Sequence, residues 1–149
     1  MPTRVLIIDD DKVLTDLLEL SLDPELFDVT AANSGEEGLK AASQQDPEVI
    51  ILDLVMPGVS GWQVGKAIRE FSRVPILVMS ALDKPGVVTN ALDGGADDFL
   101  IKPVSIEILI AHINKLARRG HAEVEAAAAK VGRTPVNLSK PTTQPVQFS

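Results

Sequence analysis

The sequence of 149 residues contains no cysteine. That absence rules out a disulfide framework and any thiolate metal site. No apolar run approaches the ~20 residues that a membrane-spanning helix requires. The opening Met1-Pro2-Thr3-Arg4 leads into an apolar run that Asp9 interrupts at once, too short for the core of a secretion signal. Positive charge is also in short supply, with 14 Lys and Arg against 21 Asp and Glu for a formal net charge of -7. A chain of that sign is repelled by nucleic acid and by anionic membranes, so neither is expected as a nonspecific partner. The expectation is a soluble, cytoplasmic protein. From Gly120 onward there are three basic residues (Lys130, Arg133, Lys140) and two acidic ones (Glu123, Glu125), which leaves 11 minus 19, or -8, in the first 119 residues. The acidity therefore belongs to the part expected to fold.

What is present is organised around Glu48-Val49-Ile50-Ile51-Leu52-Asp53-Leu54-Val55-Met56-Pro57-Gly58. An apolar run bounded by turn residues predicts a strand buried on both faces. Asp53 stands where that strand leaves the sheet. Ligands of open parallel sheets bind outside the carboxyl ends of the strands, so an Asp at that point is a candidate chemical group.

The rest of the chain alternates in the same manner. Val5 to Ile8 predicts a first buried strand ending in Asp9-Asp10-Asp11. Val13, Leu14, Leu17, Leu18 and Leu22 follow at helical spacing as one apolar stripe. Phe27 to Ala32 predicts a strand, and Ser34 with Glu37 three residues later predicts a capping box opening the next helix. After the central strand, Gly61 to Phe71 predicts a helix with Val64, Ala67, Ile68 and Phe71 on one side. Val74 to Met79 predicts a buried strand ending at Ser80. Lys84 to Asp93 predicts a weak helix that Gly94-Gly95 terminates. Asp98 to Ile101 predicts a fifth strand ending at Lys102-Pro103. Ser105 is the expected cap of a last helix whose face holds Ile106, Leu109, Ile110, Ile113, Leu116 and Ala117. Five strands alternating with five helices predict a doubly wound parallel α/β sheet of the flavodoxin-like order 2-1-3-4-5.

The domain is expected over residues 1–119. Residues 120–149 are expected to form a helical spacer around Glu125-Ala126-Ala127-Ala128-Ala129-Lys130, then a disordered tail with Pro135, Pro141 and Pro145. That tail is either natural or the stub of a linker to an effector domain.

Four strand ends carry polar groups: Asp9 and Asp10, Asp53, Ser80, and Lys102. Parallel strands end on one edge, so the groups are expected to converge. Clustered carboxylates need either raised pKa values or a cation. An all-oxygen ligand set suits Mg²⁺, which binds one or two carboxylates and a substrate phosphate. A carboxylate beside Mg²⁺ and a lysine can attack a phosphoryl group and form an aspartyl phosphate. Taken singly, each residue has a plainer reading. Asp9 to Asp11 would favour a helix N-terminus through the macrodipole, Ser80 would be a strand-end hydroxyl, Lys102 a solvated charge, and Asp53 a partner for loop amides. All four at strand ends are much less expected by chance.

In combination and order, Ile7-Ile8-Asp9-Asp10-Asp11, Ile51 to Gly58, Met79-Ser80-Ala81, Gly95-Ala96-Asp97-Asp98-Phe99 and Ile101-Lys102-Pro103 resemble the receiver domain of bacterial two-component response regulators. The resemblance covers roughly residues 3 to 119. It implies Asp53 as phosphoacceptor, and Asp9, Asp10 and the Val55 backbone carbonyl as Mg²⁺ ligands beside Asp53. It also implies Ser80 as switch hydroxyl, Phe99 as switch aromatic, Lys102 as the lysine contacting the phosphoryl group, and a cis Lys102-Pro103 bond. The implied partners are a sensor histidine kinase or phosphotransfer protein and a downstream effector or output domain. The output surface would be the fourth helix, fifth strand and last helix, with a homodimer through that surface as one use of it. There, Val88, Ile108 and His112 stand where charged partners are usual, while Asp98 and Arg119 match the family. Val104 and Phe99 depart from its more common Phe and Tyr.

Two competing readings follow. One is a Mg²⁺-dependent phosphohydrolase with an aspartyl-phosphate intermediate, similar to haloacid-dehalogenase-like enzymes, in which Asp9 and Asp11 would form the Asp-x-Asp pair. No segment is available for the cap domain of those enzymes. The other is an unphosphorylated interaction module, against which the intact acidic set argues. The expected molecule is a phosphoacceptor with autophosphatase chemistry rather than a multiple-turnover enzyme. Direct nucleic-acid binding is not expected, since no recognition-helix segment follows Arg119.

Overall fold

Strands and helices alternate along the chain as β1 (Thr3–Ile8), α1 (Lys12–Ser21), β2 (Phe27–Ala32), α2 (Gly35–Gln44), β3 (Val49–Leu52), α3 (Gly61–Arg69), β4 (Ile76–Ser80), α4 (Pro85–Asp93), β5 (Asp98–Ile101) and α5 (Ile106–Gly132). The computed structural model describes residues 1–132. The tail expected around Pro135, Pro141 and Pro145 lies outside the described residues. All neighbouring strand pairs are parallel, and the sheet order is β2-β1-β3-β4-β5. This is the doubly wound arrangement that the sequence predicts.

The layers follow from strand alternation. Val5, Ile7, Val49, Ile51, Leu77 and Met79 point to one face and pack with Leu18 and Leu22 of the α1 region and with Leu109, Ile113 and Leu116 of α5. Leu6, Ile8, Ile50, Leu52, Ile76 and Val78 point to the other, against Ala42 of α2, Val64 and Ile68 of α3, and Ala91 of α4. Each large side chain buried this way contributes about 1.5–3 kcal/mol. Among the described residues, no helix is long and apolar enough to cross a membrane.

The structure corrects several helix details. Of the stripe expected on α1, Leu18 and Leu22 are buried and Leu14 packs against the core, but Val13 and Leu17 are exposed. A helix resting on a sheet buries one row, here Leu14, Leu18 and Leu22 at spacings of four, and Val13 and Leu17 belong to the adjacent solvent row. Helix α3 stops at Arg69, so Phe71 is half exposed and not part of its buried face. Pro75 stands before β4, although its carbonyl still accepts from the Ile50 amide at 2.9 Å. At α2, Ser34 caps the Glu37 amide as expected, but the Glu37 carboxylate accepts from the Asn33 amide, so the reciprocal bond to Ser34 is not the one formed. The reciprocal capping box is instead on α3, between Ser60 and Gln63. The last helix is one unbroken element through Gly132. The position expected for the domain boundary, 119/120, falls inside it, and the alanine-rich segment is its continuation.

Candidate phosphoryl and metal site

Four strand ends and their ladder bonds assemble the site. Ile8 pairs with Leu52, and one residue further the Asp53 amide donates to the Ile8 carbonyl at 3.0 Å. Asp9 and Asp53 therefore leave neighbouring strands at the same level. The Asp9 amide in turn donates to the Ala32 carbonyl of β2 at 3.0 Å. Ser80 pairs with Ile101, and the Lys102 amide donates to the Ser80 carbonyl at 2.9 Å, which brings Lys102 to the same edge. The Lys102-Pro103 peptide is cis, as the resemblance implies. Behind Asp53, the backbone turns into α3 so tightly that a Cβ at position 61 would lie 2.1 Å from the Asp53 carbonyl oxygen. Only Gly61 permits that approach.

The side chains converge as the strand-end pattern predicts. Asp9, Asp53 and Ser80 are buried, at 1%, 7% and 0% exposure, while Asp10 is exposed. Oxygens of Asp9, Asp10 and Asp53 lie within 4.8 Å of one another. The Lys102 Nζ donates to Asp9 Oδ2 at 2.8 Å and to Asp53 Oδ2 at 3.4 Å. The Val55 amide donates to Asp53 Oδ1 at 3.3 Å, fixing the loop that carries the Val55 carbonyl. The Ser80 hydroxyl oxygen accepts from the Leu82 amide at 3.4 Å. Phe99 is not at the pocket. It lies on β5 opposite Val78, partly buried against the α4 side of the core.

Asp11 is occupied elsewhere. Its carboxylate caps α1 by accepting from the Leu14 amide at 3.1 Å, and its own amide donates to Asp9 Oδ1 at 3.0 Å. The acidic cluster is thus Asp9, Asp10 and Asp53, and the Asp9-x-Asp11 spacing does not form the pair that a dehalogenase-like reading requires.

The electrostatics match a cluster of like charge closed by one cation. Burial pushes the Asp53 carboxyl above its ordinary pKa, and the Asp9 carboxylate adds to that, outweighing Lys102 and the Val55 amide. Burial opposes the charge of Lys102, but its bonds to Asp9 and the nearby Asp53 carboxylate more than offset this and hold its pKa above the ordinary lysine value. The donor set is all oxygen and lies at an open edge, which fits a hard divalent cation. These residues could hold a metal ion.

Two supports escape the sequence reading. Asn33, at the end of β2, donates through Nδ2 to the Asp9 carbonyl at 2.8 Å and to the fully buried Thr15 hydroxyl at 3.0 Å. It ties β1, β2 and α1 together behind the acidic pocket. Arg69 bonds the carbonyls of Val74 at 2.7 Å and Gly95 at 2.9 Å and the Asp97 carboxylate at 2.9 Å, stitching α3 to the turn before β5. The one local signal for Asn33 is its place at a strand end beside the Ser34 cap.

An acidic pocket at the switch point of a 2-1-3-4-5 sheet, closed by a lysine from the fifth strand's end, defines a CheY-like receiver. The chain matches the response regulator receiver domain over residues 5–114. It belongs to that family. It is 40% identical over 129 residues to the transcriptional regulatory protein AfsQ1 of Streptomyces coelicolor, covering 87% of this chain and 57% of that one. It is 36% identical over 148 residues to the response regulator MprA of Mycobacterium ulcerans, covering 98% and 64%. Among solved structures it is similar to the Francisella response regulator 1452 receiver domain, with a TM-score of 0.74 and 33% identity over 78% of this chain and 98% of that one. A two-component response regulator from Clostridium difficile gives 0.75 and 32%, covering 78% and 97%. The chain spans less than two-thirds of the length of these curated relatives.

Proposed function

We propose that Asp53 is the phosphoacceptor of this receiver, taking its phosphoryl group from a sensor histidine kinase or a phosphotransfer protein. The observation that carries the reading is the Lys102 ammonium bonded at once to Asp9 and Asp53 at the strand-end edge. An Asp53 carboxylate oxygen forms a bond to phosphorus as the bond from phosphorus to the donor imidazole nitrogen breaks, its electron pair leaving with the imidazole. Asp9, Asp10, Asp53 and the Val55 carbonyl would hold Mg²⁺. When bound, the ion would supply positive charge to the phosphoryl oxygens. Lys102 holds the Asp53 carboxylate in place and is positioned to pair with a phosphoryl oxygen. The chemistry is self-modification followed by hydrolysis of the same aspartyl phosphate, not multiple turnover on free substrates. Incubation with Mg²⁺ and acetyl phosphate should add the mass of one phosphoryl group, and Asp53→Asn should abolish the gain. Undiminished labelling of Asp53→Asn would overturn the assignment.

The phosphoryl signal is read out through Ser80 and Phe99. A new anion on Asp53 draws the Ser80 hydroxyl toward it as a donor. That moves the loop from Ala81 to Lys84 and vacates space into which the Phe99 ring turns. Burying the ring contributes about 1–3 kcal/mol, enough to shift a two-state element. The surface that changes is α4, β5 and α5, which meets an effector or output domain and is the face available for a homodimer. Exposed Ile101 and Ile108 and the partly buried Val88 favour an apolar partner there over a charged symmetric one. The receiver unit covers residues 1–119, and residues 120–149 are a spacer followed by a tail or linker stub. The working compartment is the cytoplasm. Amide shifts with beryllofluoride and Mg²⁺ test the switch, since changes confined to the loops around Asp10 and Asp53, with residues 82–104 silent, would refute it.

A further inference from the structure

A cavity of about 190 Å³ opens between α3 and α4 over the β3–β4 side of the sheet. It lies beside α3's first turn, and none of Asp9, Asp10 and Asp53 lines it. Its floor is Leu52, Ile76 and Val78, all buried, and Trp62 stands on its rim, about one-third exposed. Lys66 is the one charged residue lining it. Among the described residues Lys66 enters none of the ion pairs.

Residue 65 helps to keep the cavity open. Gly65 sits in the interior of α3, where glycine is a costly choice. Its backbone does not require glycine. Its φ is not positive, and a Cβ there would meet one atom only, Leu52 Cδ2, at an ordinary 3.5 Å. This contrasts with Gly61, which the Asp53 carbonyl forces. A larger side chain at position 65 would gain both helix propensity and apolar burial by filling the space. The sequence forgoes both gains.

We propose that this cavity is a binding site for a small aromatic monocarboxylate. The volume fits one six-membered ring with its substituent, since a cavity of about 150 Å³ in another protein holds benzene. The apolar floor takes the ring, Trp62 offers a face or edge against it, and the unpaired Lys66 ammonium meets the carboxylate. A ligand of so few atoms would bind with a Kd on the order of 1 mM. Because Ala91, Gly94 and Ala96 also line the cavity, the bound ring would touch α4 and the turn after it.

The test uses the whole chain, with benzoate and toluene as probes and the methyl resonances of Leu52 and Val78 and the Trp62 indole resonance as readouts. Benzoate is expected to shift these signals saturably. Lys66→Gln should weaken benzoate binding about fivefold while leaving toluene binding unchanged. Gly65→Leu should raise the melting temperature and abolish both. The proposal is overturned if wild type shows no saturable shift with benzoate. It is equally overturned if Lys66→Gln binds benzoate as tightly as wild type, or if a folded Gly65→Leu still binds it. If Gly65→Leu does not fold, Gly65→Ala replaces it, and unweakened benzoate binding by that variant overturns the proposal.

Discussion

Replacing Lys102 by methionine removes the one cation that separates two buried carboxylates. At 2.8 and 3.4 Å from Asp9 and Asp53, with an effective dielectric constant of ~20, the gross attractions are roughly 6 and 5 kcal/mol. Desolvation of the three groups cancels most of that. The net loss is governed by what is left behind: carboxylates at 1% and 7% exposure without a countercharge. Breaking a buried pair in this way costs about 3–5 kcal/mol, and the 22% exposure of the Lys102 side chain places this case near the lower end. Urea denaturation at neutral pH without divalent ions should show Lys102→Met destabilised by about 3 kcal/mol. In an Asp53→Asn background only Asp9 is stranded, and the same change should cost about half as much. The pH dependence has a definite sign. A carboxyl raised above its unfolded pKa opposes folding at high pH, and this opposition fades as pH falls through the folded value toward the unfolded one. Loss of Lys102 raises Asp53 further, so the penalty should shrink on acidification. Mg²⁺ should shrink it too, by replacing the missing positive charge. Equal costs in the two backgrounds would refute the idea that Lys102 balances the pair.

Mg²⁺ binding, followed by Trp62 fluorescence, should weaken at least about tenfold in Asp10→Ala, and an unchanged affinity would place the ion elsewhere. The Asp98 carboxyl is pushed up by burial, but the His112 ring, the Phe99 amide and Lys115 outweigh this and hold its pKa below the ordinary value. Its contribution is therefore present above the unfolded pKa and lost as pH falls through the folded one. Asp98→Asn should cost about 1 kcal/mol at neutral pH and nothing once wild-type Asp98 is protonated, measured by urea midpoints across the acid range; a pH-independent difference would exclude the charged network as its source.

The strands were legible because burial on both faces demands unbroken apolar runs, and Val5–Ile8, Val49–Leu52 and Ile76–Met79 supply them. The pocket was legible for a related reason. A carboxylate or lysine directly after such a run has nowhere to go but the strand-end edge. The helix faces were less legible. Helix α1 carries more apolar residues than its buried row can use, so spacing alone could not tell Leu18 from Leu17. The pocket's supports were largely hidden. Asn33 reaches Asp9 and Thr15, and Arg69 reaches Gly95 and Asp97, across 18 to 28 residues of sequence. Nothing local marks such pairs, because the polar partner is chosen by the sheet order and not by the neighbouring residues.

The same packing decides which helix can answer an event at Ser80. Helix α3 follows Asp53 directly and is fixed by Gly61 against the Asp53 carbonyl, by a reciprocal Ser60–Gln63 cap, and by buried Val64 and Ile68. Helix α4 follows Ser80 through a four-residue loop. Its N-cap, Lys84, makes no side-chain bond, and Ala91 is its one buried residue. A missing cap is worth about 1 kcal/mol. Burying Ala in place of Val and Ile forgoes roughly 3–5 kcal/mol more. A pull on the loop after Ser80 therefore meets far less resistance from α4 than a pull on the loop after Asp53 meets from α3. The cavity beside Gly65 removes further contacts from the α3–α4 boundary, so α4 can shift without dragging α3 and the acidic pocket with it. A response begun at the strand ends would in this way be directed to the α4 side of the sheet, where Phe99 packs.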